Sequence, residues 1–594
     1  MSIPRRLFDC LAEQLKKRPS EILLSAKEDG TWRGYSVTEV AQVVDQLAAG
    51  LLALGISSGD GSIEGRDKIA ILSKNRPEWI FLDLAVQKIG AVLVPVYPTV
   101  HVADLQFVLN DAQVKLVFVN EDDLFQKVTS VLPQTPSVRE VYSFEKVVGS
   151  NYWKDLLTLG QHEHYLQIEP AAQKINTEDL LTIIYTSGTT GTPKGVMLSH
   201  HNVLSNVQTS LPYLPIGQGA KVLSFLPLNH IFERMITYVY LFAGVTIYYA
   251  ESLEELGNNL REVKPDMFTT VPRLLEKVYE RILGKAEELS PVKKKLFFWA
   301  LALAQQYDVQ QPGSISYRAQ LAVANKLVFK KWREGLGGNL KCIVTGAAAC
   351  PVKLIRIFTA AGITILEGYG QTETSPVIAV NRMEPQNRMF GTVGPVIDGV
   401  DVKLADDGEI LCKGPNVMLG YYKRPDLTAE TVIDGWLFTG DIGTLVNGKF
   451  LKITDRKKEI FKTSGGKFIA PQPIENKLVE SSFIEQVMVV GANEKFVGAL
   501  IVPHFKALRD WCTEKGIEAT GNETLITNAA VQQEYKNIIE ELNKAFSPVE
   551  QIKKFELLSA EWTIDNGELT PTLKLKRKVI FEKYKTAIER IYNR

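Results

Sequence analysis

The 594-residue sequence predicts an α/β fold built in several units, and three patterns predict it. Apolar runs of strand length alternate with helical stretches from about Arg66 onward. Near Gly391 these give way to short alternating runs separated by turn signals, and a smaller mixed unit follows Asp455. Alternation of the first kind reads as βα units on parallel sheets, and short runs with frequent turns read as an antiparallel part. The length exceeds what one hydrophobic core organises and corresponds to roughly three or four compact units.

Taken in order, Ile69–Ser73, Val92–Val96 and Lys115–Val119 read as strands, with Pro77–Gly90 as a helix between the first two. The theme resumes with Lys221–Leu226, Gly244–Ala250, Asp266–Val271, Lys341–Thr345 and Ile363–Glu367. In open parallel sheets ligands sit at the carboxyl ends of strands, so the loops after these runs are the places to look for chemistry. Ser199 is positioned to cap a helix from His200, which predicts a strand, then a loop, then a helix around Tyr185–Ser199. Residues 285–339 read as a helical insert. Its Lys293–Trp299 cluster, basic and aromatic, is either a contact for an anionic membrane surface or a core-facing helix with a solvated basic end. In the β-rich part, about 391–454, Asn447-Gly448 between two apolar runs predicts a hairpin. The last unit carries strands at Gln486–Val490 and Gly498–Val502 and a helix around Val531–Phe546.

The balance of 68 basic and 68 acidic residues gives no global field, which argues against nucleic acid as a partner. Five dispersed cysteines without C-x-x-C spacing point neither to a disulfide framework nor to zinc, and fit a reducing, cytoplasmic setting. There is no signal-peptide pattern at the N-terminus and no apolar stretch of about 18 residues, so only peripheral membrane contact is left open.

Three segments carry chemistry. After the run Leu180–Ile184 comes Tyr185-Thr-Ser-Gly-Thr-Thr-Gly-Thr-Pro-Lys-Gly195. Gly188, Gly191 and Gly195 let backbone N–H groups approach an anion, the hydroxyls of Thr186, Ser187, Thr189, Thr190 and Thr192 add donors, and Lys194 adds a mobile positive charge. It is not a Walker A loop, since Pro193 precedes the lysine and Gly195 stands where a magnesium-binding hydroxyl belongs. Next, Glu367-Gly-Tyr-Gly-Gln-Thr-Glu373 presents an aromatic face for a purine (Tyr369), a hydroxyl for a phosphate (Thr372) and a carboxylate for the magnesium that accompanies ATP (Glu373). Finally, Asp441 and Arg456 suit ribose hydroxyls, although on spacing alone a hairpin aspartate and a solvated charge run is the better reading there.

In order and spacing these segments resemble the adenylate-forming superfamily, which includes acyl-CoA synthetases, luciferases and peptide-synthetase adenylation domains. Leu226–His230, Thr345–Ala349, Gly391–Pro395 and Lys462–Pro471 extend the resemblance from about Tyr35 to Tyr584. Ile231-Phe-Glu-Arg234, the helical insert and Leu569–Arg577 are most similar to long-chain fatty acyl-CoA synthetases. The resemblance implies that Thr186–Lys194 wraps the β- and γ-phosphates and that Gly346, Ala347, Ala348, Tyr369 and Gly370 line the adenine site. Thr372 would contact the α-phosphate, Glu373 would hold Mg²⁺, Asp441 and Arg456 would bind the ribose, and His230 would lie near the acyl carboxylate. It further implies a core over 1–454, a hinge over 455–458 turning at Lys458, and a mobile domain over 459–594. Ser464, Gly465 and Gly466 would belong to a loop on the coenzyme A side. Lys574 is favoured over Lys576 as the adenylation lysine because Arg577 keeps the family spacing, although Leu573 replaces the usual glycine. The expected reaction is ATP-dependent activation of a long-chain fatty acid through an acyl-adenylate, then transfer to coenzyme A. An enzyme that stops at acyl-AMP or serves a carrier protein is the alternative within this class, and a nucleotide-responsive binding protein the alternative outside it.

Overall fold

The computed structural model describes residues 5–187, 192–311, 313–518, 521–564, 566–570 and 574–593, with Ser187 described by its backbone alone. Gly188, Thr189, Thr190 and Gly191 of the expected phosphate loop, and the Ser187 side chain, lie outside the described residues.

Two eight-stranded sheets form the larger body. One runs Val377–Val380, Thr364–Gly370, Cys342–Thr345, Met267–Thr270, Lys221–Ser224, Thr246–Tyr249, Ile22–Glu28 and Thr31–Ser36. The other runs Gly420–Tyr421, Pro193–Ser199, Leu180–Ser187, Val92–Pro95, Lys68–Leu72, Leu116–Val119, Glu140–Ser143 and Asn151–Tyr152. Their central strands are parallel and buried on both faces, which explains unbroken apolar runs such as Ile69-Ala-Ile-Leu72. A shared core, including Trp79, Phe81, Tyr238 and Val239, fills the space between the sheets. Helix Pro77–Lys88 is buried almost all round because it lies in that layer, and it shows little amphipathic pattern for the same reason.

The segment Ile231-Phe-Glu-Arg234 begins helix Ile231–Ala243 and staples the sheets together. Glu233 accepts from Ser224 Oγ (2.6 Å) and from Thr269 Oγ1, both on the first sheet. Arg234 donates to Thr182 Oγ1 on the second (2.7 Å) and pairs with Asp83, which also accepts from Tyr238. Burial pushes the Glu233 carboxyl up to about 7.

The region around Tyr185 departs from expectation. The 188–191 segment joins two antiparallel strands, with Thr186 opposite Lys194, and the helix His200–Ser210 begins only after the second. Ser199 does cap that helix, accepting from Asn202 N–H at 3.1 Å. Pro193 and Gly195 look like turn residues in sequence, yet they lie in the sheet. A Cβ on Gly195 would stand 2.7 Å from Ile183 Cγ2, so the glycine answers to close packing across the hairpin.

The β-rich part is a five-stranded sheet from Asp401–Leu404, Glu409–Lys413, Val432–Ile433, Trp436–Val446 and Phe450–Arg456. Asn447 and Gly448, at φ 52° and 65°, form the turn between its two longest strands. Beyond it, Ile484–Val490, Val497–Pro503 and Ile552–Leu557 form a three-stranded sheet with its own core, including Leu500, Leu508, Tyr535 and Ile580. The cluster Lys293–Trp299 lies on helix Pro291–Gln305, where Phe297 and Ala300 pack into a core on the outer side of the first sheet while Lys293 and Lys295 are exposed.

Candidate active site

The site gathers at the strand ends of the first sheet, where the β-rich part and the C-terminal unit meet it. Strand Thr364–Gly370 delivers Tyr369, and Trp436–Val446 delivers Asp441 from the opposite side. Tyr369 OH donates to Asp441 Oδ2 at 2.7 Å, and Gln371 Nε2 donates to the same oxygen at 2.6 Å and to Thr439 O at 2.8 Å. The other oxygen, Oδ1, faces Arg456 Nε at 3.3 Å, the two residues being direct cross-strand partners. A nearly buried carboxylate held by two neutral donors and one cation is fixed in rotamer. Gly370 owes its identity to the backbone, since a Cβ there would meet Pro376 O at 1.7 Å.

Thr372–Thr374 is a 3₁₀ turn that presents Glu373. Tyr421 OH donates to Glu373 Oε1 (2.9 Å), and Met418 N–H donates to the Glu373 carbonyl (2.9 Å). Lys194 lies over the Tyr421 ring at 4.3 Å, and burial lowers its affinity for a proton while Glu373 partly restores it. Tyr421 therefore joins the hairpin lysine to the candidate metal carboxylate. Lys458, in the turn after Arg456, belongs to the same electrostatic neighbourhood. Gly346, Ala347 and Ala348 follow strand Cys342–Thr345, and Ala347 holds a left-handed φ of 68°.

His230 is the N-cap of helix Ile231–Ala243, and its Nδ1 accepts from Phe232 N–H at 3.2 Å. Burial, with Lys574 nearby, lowers its pKa to about 4, so the ring is neutral at pH 7. A neutral imidazole whose Nδ1 accepts carries its proton on Nε2, leaving one donor for a ligand.

Lys574 enters from the C-terminal unit. Its N–H donates to Thr570 Oγ1 (3.0 Å) and its carbonyl accepts from Thr570 N–H (2.8 Å). Arg577, one turn further, donates to Glu459 Oε2 (2.9 Å) and Glu475 Oε2 (2.5 Å), which anchors the segment. Burial lowers the Lys574 ammonium to about 8, with Arg456 opposing the charge and Asp441, Glu459 and Glu373 favouring it. Lys574 thus lies within electrostatic range of His230, Glu373, Asp441 and Arg456. Lys576 instead precedes helix Arg577–Lys583, its N–H donating to Glu568 O at 2.7 Å. Ser464, Gly465 and Gly466 form the exposed tip of the short hairpin Phe461–Lys462 and Phe468–Ile469.

Sequence reasoning missed Gln371 and Tyr421. Gln371 lies within a quoted motif, but its role depends on the strand across from it; Tyr421 depends on the pairing of Gly420–Tyr421 with Val196–Met197, which no local pattern announces. Among the described residues no group of three or more His, Cys, Asp or Glu forms a cage able to hold a metal ion. Glu373, presented by its turn beside Tyr421 and Lys194, is a single carboxylate of the kind that can share a magnesium ion with substrate phosphates.

A fold of this kind with a lysine delivered from the C-terminal unit defines a class, and the chain belongs to it: residues 11–422 match the AMP-binding enzyme family and 458–594 the AMP-binding enzyme C-terminal domain. Among individual proteins, the chain is 34% identical over 590 residues to the long-chain-fatty-acid–CoA ligase FadD15 of Mycobacterium bovis, covering 98% of this chain and 96% of that protein. It is 32% identical to the human long-chain-fatty-acid–CoA ligase 6, over 96% of this chain and 83% of the relative. The fold is also that of the O-succinylbenzoate coenzyme A synthetase of Bacillus subtilis, solved with ATP and magnesium ion (TM-score 0.68, 20% identity, 96% of this chain and 98% of that one).

Proposed function

We propose that the protein activates a long-chain fatty acid with ATP and transfers the acyl group to coenzyme A. In the first half the fatty carboxylate attacks the α-phosphorus of ATP and expels pyrophosphate; in the second the coenzyme A thiol attacks the acyl carbonyl and expels AMP. The observation that carries this reading is the convergence of Lys574 with Glu373, Asp441, Arg456 and His230. Such a site needs no protein nucleophile, because positioning and charge stabilisation suffice for transfer at phosphorus.

In this reading Asp441, steadied by Tyr369, Gln371 and Arg456, binds the ribose hydroxyls. Thr186, Thr192 and Lys194 flank the β- and γ-phosphates, Gly346–Ala348 and Tyr369 bound the adenine, and Thr372 takes the α-phosphate. His230 offers Nε2–H to the acyl carboxylate, and Lys574 bridges the attacking and phosphoryl oxygens as charge builds there. Glu373 would hold Mg²⁺, which supplies charge neutralisation for the leaving pyrophosphate. The lysine and the thiol do not readily share one site, so the C-terminal unit turns at Lys458 after adenylation and brings Ser464–Gly466 towards the thioester side. The names of the relatives support coenzyme A over a carrier protein as acceptor. AMP release with palmitate, coenzyme A and ATP, repeated across a chain-length series, tests the reading. It expects acyl-CoA and AMP in equal amounts with long acids; preference for acetate or aromatic acids, or AMP release without any acid, contradicts it.

Peripheral contact with anionic membranes belongs to the same proposal. From Leu289 to Arg333 the sequence carries eight basic residues and one acidic one, in a chain otherwise balanced. Helix Ile315–Ala324 turns Ile315 (78% exposed) and Val323 (48%) outward, and Leu327 (51%) continues the face beside the exposed Lys326 and Lys330. Apolar side chains among cations suit an anionic interface. No helix among the described residues is long and apolar enough to cross a membrane. All five cysteines are free and buried, in keeping with a reducing, cytoplasmic setting. Salt-sensitive co-sedimentation with phosphatidylglycerol vesicles, weakened by Ile315→Ser with Leu327→Ser, supports this contact; equal sedimentation with neutral vesicles contradicts it.

A further inference from the structure

A second polar junction joins the two bodies away from the catalytic cluster. Arg273 lies in the first turn of helix Pro272–Glu287, on the outer side of the first sheet. Its Nη1 pairs with Glu276 Oε2 at 2.9 Å, and its Nη2 pairs with Glu485, on strand Ile484–Val490 of the C-terminal unit. The Arg273 and Glu485 side chains are 24% and 16% exposed. His504 Nε2 stands 3.7 Å from Glu485 Oε2, and Glu280 is close enough that burial, with Glu485 and Glu276 nearby, raises its carboxyl. One guanidinium therefore serves carboxylates from both bodies in a partly dehydrated pocket, where an ion pair is screened less than at an open surface.

The strand that carries Glu485 is tied to the segment that leads to Lys574. The next residue, Gln486, donates its amide to Trp562 O (3.0 Å) and accepts from Trp562 N–H (2.8 Å). From Trp562 the chain continues to Thr570, whose side chain holds the Lys574 N–H. Glu485 and Lys574 thereby belong to one unit, so a contact that fixes Glu485 against the larger body bears on where Lys574 stands relative to Glu373 and Asp441.

We infer that the Arg273–Glu485 pair is a latch that holds the C-terminal unit in its adenylation orientation and sets the partition between the two half-reactions. Arg273 and Glu485 are positioning residues: they act on Lys574 through the orientation of the domain. The inference rests on the proposed turn at Lys458, since such a turn carries Glu485 away from Arg273 and requires the pair to open.

The test measures both half-reactions on the full chain: ATP–pyrophosphate exchange with palmitate, and thioester formation from supplied palmitoyl-AMP and coenzyme A. Glu485→Gln keeps the volume and removes the charge; it is expected to slow exchange about five- to 150-fold, the usual range of coupling between two sites, while thioester formation holds or rises. Arg273→Glu should do the same, and the double exchange Arg273→Glu with Glu485→Arg should recover most of the exchange rate, which a merely folding-dependent effect would not. Equal loss of both halves, no change in either, or a double variant as slow as the singles overturns the latch. If the unaltered protein catalyses neither half, it is the proposed function that fails, and the two failures stay separate.

Discussion

At Lys574, burial and charge place a titration within the working pH range. Its ammonium lies near pH 8 against an ordinary value of 10.5, so the protonated form that its proposed role in adenylation needs is lost as pH rises through 8. ATP–pyrophosphate exchange, followed as kcat/KM for ATP, should therefore fall on a basic limb near pH 8. Lys574→Arg, if it retains activity, should move that limb upward, and a limb unmoved by the replacement would assign the titration elsewhere. No acid limb near pH 6 should come from His230, already neutral above about pH 5 because its pKa is near 4. Gln371 supplies one of the two neutral donors to Asp441, so Gln371→Leu should raise KM for ATP at least about tenfold, the low end of the ~1.5–3 kcal/mol of a hydrogen bond to a charged acceptor, with kcat little changed. At this scale the sequence singled out Asp441 and Lys194 by their side-chain chemistry, and the structure sets them beside Tyr369 and Tyr421. It was silent on Gln371 and Tyr421, whose roles exist only once strands distant in sequence are paired.

Among elements, the helix Ile231–Ala243 ties the two large sheets together. Its first turn reaches both sheets through Glu233 and Arg234, and both Arg234 and Asp83 are fully buried. Asp83→Asn leaves a buried guanidinium without its counter-charge and should cost about 3–5 kcal/mol in denaturant-induced unfolding of the larger body. A cost below about 1 kcal/mol would show that the pair is replaceable. Glu233, raised to about 7 in the folded chain from an ordinary 4.5, contributes stability that is present below pH 4.5 and is lost as pH rises to 7. Glu233→Gln should accordingly flatten that part of the stability profile. The parallel strands were legible because double burial leaves unbroken apolar runs such as Ile69–Leu72 and Cys342–Thr345. The hairpin through Pro193 and Gly195 was not, since its glycine serves close packing in a sheet where a local reading sees a turn. Nor was the antiparallel pair Ile22–Glu28 and Thr31–Ser36, which extends a sheet whose nearest strand lies more than two hundred residues away in the chain.

At the scale of the whole molecule, the C-terminal unit has its own core and meets the larger body at charged groups: Lys574, within electrostatic range of Asp441 and Glu373, and Glu485, paired with Arg273 at the outer junction. Polar junctions of this kind release at lower cost than an apolar interface and suit the proposed turn between two half-reactions. The central claim is that Lys574 drives adenylation and leaves before the thiol arrives. Its most direct measurement compares Lys574→Ala with the unaltered protein in ATP–pyrophosphate exchange and in thioester formation from supplied acyl-AMP. Exchange should fall at least about a hundredfold, as expected for removal of a charge-stabilising donor, while thioester formation stays within about twofold. Equal survival, or equal loss, of the two halves would contradict it.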